Sequence, residues 1–268
     1  MRLFRLWWHA ERRRRPLEEP SGREGEAYFG FEPVSPAEKT ARMIRHFDAV
    51  APVYDAMNTL LSFGIHHAWK RRAVRMLGLR PGMRVLDVCG GTGDLSLLAA
   101  RRVGPAGRVL LYDINPRMIA AGLPKLRAAT GGAAVRPVVG NAEEIACREG
   151  AFDAVMVGFG IRNVTRMRRA FAEMHRVLRP GGRLLCLEFS RPRWAWFRFL
   201  YDLYSFRVMP VLGERIAGSR QAYTHLPESI RTFPLPGELA RLLRAVGFRD
   251  VAWRPFTNGI AVAHLATR

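Results

Sequence analysis

The sequence predicts an α/β domain built on a doubly wound parallel sheet that ends in an antiparallel hairpin. Three observations predict it. From Arg84 onward, five short apolar runs of buried-strand type, "RVLDVC", "RVLLYD", "VRPVVG", "AFDAVMVGF" and "GGRLLCLEF", alternate with helical stretches. The first run leads into a glycine loop, "GGTGDLS". After the last helix come "FRDVAWRPF", the loop "TNG" and "IAVAHLAT", two strands close enough to pair antiparallel.

The elements follow in order. Residues 1–34 mix charges with Pro and Gly and keep no periodicity, which predicts an extended or mobile arm. "SPAE" then supplies Ser35 as N-cap, Pro36 at the first helical position and Glu38 to close a capping box. Ile44, Phe47, Val50 and Tyr54 continue at helical spacing, so a helical lead-in over 35–83 opens a domain spanning 35–268. Helices are expected over 115–129 and 165–178. The latter carries Met167, Phe171, Met174 and Leu178 on one core-facing stripe, and "RPGG" ends it before the fifth strand. Over 191–235 the pattern changes to an aromatic and basic insertion. In it Trp194, Phe197, Tyr201, Tyr204 and Val208 share a helical face, widened by Trp196, Phe199, Leu203 and Phe206 and fringed by arginines. Such breadth calls for cover by protein, as over a substrate pocket, or by lipid at a membrane surface. A last helix runs around Leu239, Leu242, Leu243 and Val246.

Composition narrows the class. A chain of 268 residues with 49% hydrophobic content can bury a sizeable core. Its 43 Lys+Arg against 23 Asp+Glu give +20, and because residues 1–35 are nearly balanced despite "RRRR", the body carries almost all of it. Such a surface favours polyanions, either nucleic acid or an anionic membrane face. No uncharged apolar run of about 18 residues occurs, so no membrane span is expected. The start lacks the order of a secretory signal, and its acidic residues speak against a transit peptide. Cys89, Cys147 and Cys186 form no framework and no zinc spacing, which fits a reducing cytoplasm. His66 and His67 are adjacent, a spacing that does not put two side chains on one helix face, so no metal is expected.

The glycine loop is lined with carboxylates. Gly91, Gly93 and Ser96 approach the spacing that lets backbone pass a pyrophosphate, yet Asp87 and Asp94 flank the turn and no Lys follows it. A phosphate would be repelled. S-adenosylmethionine (SAM) carries a sulfonium cation and no phosphate, and acidic neighbours suit it. Gly91 and Gly93 let the backbone approach, Thr92 offers a hydroxyl, and Asp113 at the end of the second strand accepts from the ribose hydroxyls. Asp113 follows Gly91 at close to the expected interval of about 20 residues. Five parallel strands with a terminal pair are the plan of the class I SAM-dependent methyltransferases, by fold-level analogy.

"YDAMNTLLSFGIHHAW" and "RVLRPGGRLLCLEFS" resemble the two signature segments of the ubiquinone/menaquinone biosynthesis C-methyltransferases, of the demethylmenaquinone methyltransferase type. The resemblance extends through "YFGFEPVSPAEK", "NAEE", "FGIRNVT", "YDLYSF", "YTHLPESIRTFP" and "TNGIAVAH", and leaves out only the first residues. It implies SAM-dependent methylation of a ring carbon of a polyprenylated quinol, demethylmenaquinol to menaquinol, with ubiquinone biosynthesis as a second pathway. It also implies cofactor contacts from Thr92, Asp113, Asn141 and Ala142. Gly158 stands where the family often has a small hydroxyl residue and can offer only backbone; Cys89 is expected to pack. An electron-rich quinol must lose a hydroxyl proton. Arg162 is therefore expected to stabilise the phenolate and Asn163 to hold the ring oxygen or a proton-accepting water. Tyr54, Asn58 and His66, with Asp55, lie in the lead-in that could close over the ring. The implied setting is cytoplasmic, peripheral to the inner membrane face, without nucleic acid; a homodimer or a quinone-biosynthesis complex stays open. The rival readings are an RNA or other small-molecule methyltransferase and a noncatalytic assembly protein on the same fold.

Overall fold

The computed structural model describes residues 27–129, 133–217 and 220–268, so most of the arm, "RRRR" included, lies outside the described residues. The arm's last part folds back on itself as a hairpin. Ala27–Phe29 (β1) and Glu32–Val34 (β2) pair antiparallel around Gly30, whose φ of +60° suits the turn. Ala27, Phe29 and Val34 are apolar at alternate positions and pack with Met43 on Pro36–Val50 (α1). The expected cap is in place, with Ser35 Oγ accepting from the Glu38 amide at 3.2 Å. Tyr54–Leu61 (α2) and Ile65–Leu77 (α3) complete the lead-in.

The sheet comprises Arg84–Val88 (β3), Arg108–Asp113 (β4), Ala134–Val139 (β5), Phe152–Gly158 (β6), Leu178–Phe189 (β7), Arg249–Phe256 (β8) and Ala261–Thr267 (β9), in the order β5-β4-β3-β6-β7-β9-β8. The first five are parallel; β9 runs antiparallel beside β7, and β8 antiparallel beside β9. The central strands read as continuous apolar runs because both faces are covered. Val85 and Met156 pack on one face with Asp94–Val103 (α4) and α3. Leu86, Val155 and Val157 pack on the other with Met167–Val177 (α6) and Pro236–Val246 (α10). Pro116–Ala128 (α5) follows β4.

Two expectations are refined. "RPGG" does end α6, but it does so inside the strand: Leu178 already pairs with Phe152, and a register shift precedes the pairing of Ala154 with Arg183. The insertion folds as Ala195–Leu203 (α7), a π-helical turn over Tyr204–Val208, Met209–Ala217 (α8) and Arg220–Thr232 (α9). Its broad aromatic face splits. Phe197 and Tyr201 pack on the sheet side, whereas Trp194, Trp196, Phe199, Leu203 and Val208 stay exposed, because the domain covers only one side of α7. Among the described residues no helix is long and apolar enough to cross a membrane.

Candidate active site

A cleft and a cavity meet at the carboxyl ends of the parallel strands, the crevice where open α/β sheets bind ligands. The cleft, about 100 Å³, is walled by Gly91, Asp113, Asn115, Asn141, Ala142 and Gly158, among others. The cavity, about 420 Å³, reaches from Gly91 and Thr92 past Arg162 and Asn163 to the aromatic rings of the insertion. Tyr54, Gly91, Gly158 and Asn163 border both, so a molecule in one lies against a molecule in the other.

The cleft presents groups that could hold an adenosyl group. Asp113 ends β4 with Oδ2 accepting from the Gly91 amide and Oδ1 from the Asn115 amide, both at 2.8 Å. Burial raises its pKa and these two amides pull it back down. Each oxygen keeps a further lone pair, and two acceptors side by side match a ribose diol. Gly91 sits at φ +53°, a left-handed conformation that brings its amide to Asp113. A Cβ on Gly158 would lie 2.4 Å from Leu95 Cδ1, so any side chain there would require the Leu95 side chain to shift. Asn141 Oδ1 accepts from the Glu143 amide at 3.0 Å and so fixes the turn that carries Ala142.

Thr92 is buried and its hydroxyl is already engaged. It donates to Asp55 Oδ1 at 2.7 Å and accepts from Lys125 Nζ at 3.1 Å. Lys125 also donates to Asp55 Oδ2 at 2.6 Å and to Asp94 Oδ1, and Lys70 donates to Asp94 Oδ2 at 2.7 Å. The loop carboxylates therefore differ. Burial alone would raise Asp94, but the two ammonium groups hold it well below the usual carboxylate range. Asp87 lacks a cation partner at hydrogen-bond distance: burial pushes it up to about 7, opposed by the Ser96 hydroxyl, which donates to Oδ2 at 2.6 Å, and Oδ1 is buried without a partner.

Arg162 lies in a 3-10 turn (Ile161–Asn163) after β6 and is 8% exposed. Its Nη1 donates to Glu188 Oε2 at 3.0 Å and Oε1 at 3.2 Å, and to the Phe159 carbonyl. The guanidinium lies 5.3 Å from the Phe189 ring centre, and its Nε is buried without a partner. Burial raises the pKa of Glu188, which is 2% exposed, while Arg162 and nearby amides lower it. Glu188 was missed as a site residue; its signal was a lone carboxylate closing an apolar strand.

Tyr54, Asn58 and His66 all line the cavity. Burial raises Tyr54 and lowers His66 to about 4, helped by Lys70 and His67, so His66 is neutral near pH 7. The two histidines do come together, contrary to expectation: ring centres are 3.9 Å apart and both Nε2 atoms approach Thr59 Oγ1, at 3.3 and 3.2 Å. They sit in the first turn of α3, where both rings can swing back toward α2. With Asp94 they bring three potential ligand atoms within 4.8 Å. Asp94, however, is held by two ammonium groups whose charge opposes a metal cation. Two further cavity residues, His46 and His225, were not anticipated; burial holds both rings neutral, at about 4 and about 3.

Comparison with known proteins bears on this geometry. The model of the ubiE/COQ5 methyltransferase family matches residues 36–268. The chain is 46% identical over 240 residues to the ubiquinone/menaquinone biosynthesis C-methyltransferase UbiE of Rubrivivax gelatinosus, covering 90% of this chain and 92% of that one. It is 43% identical over 237 residues to UbiE of Edwardsiella ictaluri, covering 88% and 94%. Among solved structures, a SAM-dependent methyltransferase from Aquifex aeolicus aligns with TM-score 0.53 at 18% identity, covering 74% of this chain and 88% of that one. The [4+2]-cyclase SpnF aligns with TM-score 0.60 at 17% identity, covering 84% and 94%. The fold is thus the class I SAM-dependent methyltransferase fold. A cyclase on the same fold is a reminder that the chemistry is argued from the site.

Proposed function

The chain belongs to the ubiE/COQ5 methyltransferase family, and on that premise we propose that this SAM-dependent C-methyltransferase of quinone biosynthesis converts a polyprenylated demethylnaphthoquinol to the menaquinol, with a benzoquinol of ubiquinone biosynthesis as a second acceptor. The observation that carries the reading is the aromatic-walled cavity of about 420 Å³ sharing Gly91, Gly158 and Asn163 with the adenosyl cleft. An apolar ring and the start of an isoprenoid tail suit such walls.

SAM supplies a methyl carbon on a sulfonium, open to an in-line attack by a ring carbon that a neighbouring ionised hydroxyl makes electron-rich. Gly91, Asp113, Asn141, Ala142 and Gly158 form the cofactor side; contrary to expectation, the Thr92 hydroxyl is taken by Asp55 and Lys125, and Gly93 lines neither space but packs toward Leu111 and Leu126. Arg162 and Asn163 are the catalytic pair. Because Glu188 neutralises Arg162, the guanidinium acts on the phenolate as a fixed hydrogen-bond donor more than as a net charge. Asn163, at the border of cleft and cavity, holds the ring oxygen or the water that takes its proton. Tyr54, Asn58 and His66 enclose the ring, and the surrounding aromatics exclude bulk water. An acceptor with such a tail supports a setting in the cytoplasm, peripheral to the inner membrane face.

The test uses labelled SAM. The protein should methylate a chemically reduced demethylnaphthoquinol with a short isoprenoid tail and leave the oxidised quinone untouched, since the quinone ring is too electron-poor to attack. Arg162→Ala should slow turnover by roughly a hundredfold or more while SAM still binds. In calorimetry Asp113→Ala should weaken SAM binding by about 1 to 3 kcal/mol through lost charge-assisted hydrogen bonds. Transfer to RNA and to neither quinol would overturn the proposal.

A further inference from the structure

Beside the cavity lie apolar side chains that the domain leaves uncovered. On α7, Trp194 is 60% exposed, Trp196 62% and Phe199 63%, and the helix has no fully buried residue. On the turn between α2 and α3, Phe63 is 82% exposed, in a left-handed conformation at φ +50°. These two segments adjoin. The Phe63 ring centre lies 6.0 Å from that of Tyr204, and the Tyr204 hydroxyl donates to the Leu61 carbonyl at 3.0 Å. Phe63, Leu200 and Tyr204 belong both to this rim and to the wall of the cavity, so the patch and the cavity are one continuous apolar surface. Isolated exposed hydrophobics are ordinary; a cluster of them continuous with a cavity wall is not.

Charge identifies the occupant. Residues 56–86 and 189–201 contain no Asp or Glu, whereas Arg193 before α7 and Arg207 after it are exposed. Exposed aromatics fringed by arginine, with the carboxylate of α7, Asp202, already paired to Arg231, match the interface of an anionic bilayer, where indole rings sit at headgroup depth. We propose that α7 and the α2–α3 turn form a docking surface that seats on an anionic phospholipid bilayer and opens the cavity directly onto its hydrocarbon. This rests on the acceptor being a polyprenylated quinol: its tail then enters from lipid without crossing water. Both segments engage the bilayer, so the entrance is held open while the protein is bound.

The experiment compares wild type, Trp194→Ser/Trp196→Ser and Phe63→Ser, with Trp253→Ser as an exposed tryptophan away from the rim. Co-sedimentation uses vesicles of phosphatidylcholine alone or mixed with phosphatidylglycerol. Wild type and Trp253→Ser should bind the mixed vesicles, less so at high salt; each rim variant should lose about tenfold or more in partitioning. Brominated lipid should quench the fluorescence of Trp194 and Trp196. The double variant should keep its turnover of a short-tailed quinol in solution and lose most of its turnover of a long-tailed quinol embedded in vesicles. Rim variants that partition like wild type would overturn the docking surface, as would a lipid-free dimer that Trp194→Ser/Trp196→Ser dissociates, since the patch would then belong to a second copy. Failure of the wild type to methylate any quinol would instead overturn the function, whatever the vesicles show.

Discussion

Asp87 and Asp113 lie near the ends of adjacent strands of one sheet, yet the sequence singles out only one of them. Asp113 stands out by position, a carboxylate ending the second strand at the interval after the glycine loop expected of a ribose-binding acid. Asp87 could be read only as one of two acids beside that loop. The sequence does not reveal that Asp94 is claimed by Lys70 and Lys125 while Asp87 is left with Ser96, because those lysines arrive from helices that are distant along the chain. The difference has a measurable result. The folded-state pKa of Asp87, about 7, lies above its ordinary 3.8, so folding favours the protonated form. Its stabilising contribution is complete below pH 3.8 and is lost as pH rises through 7. In the ligand-free protein, Asp87→Asn should therefore gain stability over wild type as pH is raised from 4 to above 7. The change should be on the order of 2 to 4 kcal/mol, each pKa unit being worth about 1.4. Scanning calorimetry across that range checks it; a stability difference independent of pH would place Asp87 in contact with water or a cation.

Helices and strands were legible where a buried face imposes a period. The parallel strands read as apolar runs because helices cover both faces, and α1 was announced by Ser35 and Glu38. The contacts between elements were not legible. Asp55 of α2, Lys70 of α3, Thr92 and Asp94 of the loop and Lys125 of α5 form one chain of hydrogen bonds, and no local pattern couples such residues. Through it, α2, which lines the cavity, is fastened to the glycine loop. Lys125→Met keeps the length of the side chain and removes its charge, and so leaves Asp55 with Thr92 alone. Amide hydrogen exchange over Tyr54–Leu61 should then quicken by about tenfold, consistent with the loss of roughly 1 to 2 kcal/mol of charged hydrogen bonding. Exchange over β3 and β6 should not change. SAM at saturating concentration should restore part of the protection in the variant, because the ligand holds the same loop from the other side.

At the scale of the whole molecule, the charge was legible in amount and not in placement. The net +20 acts as self-repulsion as well as a lipid-attracting field, so in the absence of vesicles moderate NaCl should raise the melting temperature by a few degrees where it would weaken isolated ion pairs. A fall in melting temperature with salt would show that internal pairs such as Arg162–Glu188 outweigh the repulsion. The aromatic insertion was recognised as needing cover, but its division between protein and open surface depends on which side of α7 the sheet reaches, and that is a property of the assembled domain. The terminal hairpin was anticipated as a pair, though not its insertion order, and that order governs how the protein is born. β9 is made after β8 but lies between β8 and β7. During synthesis, β7 therefore waits with an unpaired edge until residues 261–267 have left the ribosome, and β8 cannot join the sheet before they do. For that interval the nascent chain presents an apolar strand edge, the feature that chaperones bind and that sticky neighbours capture.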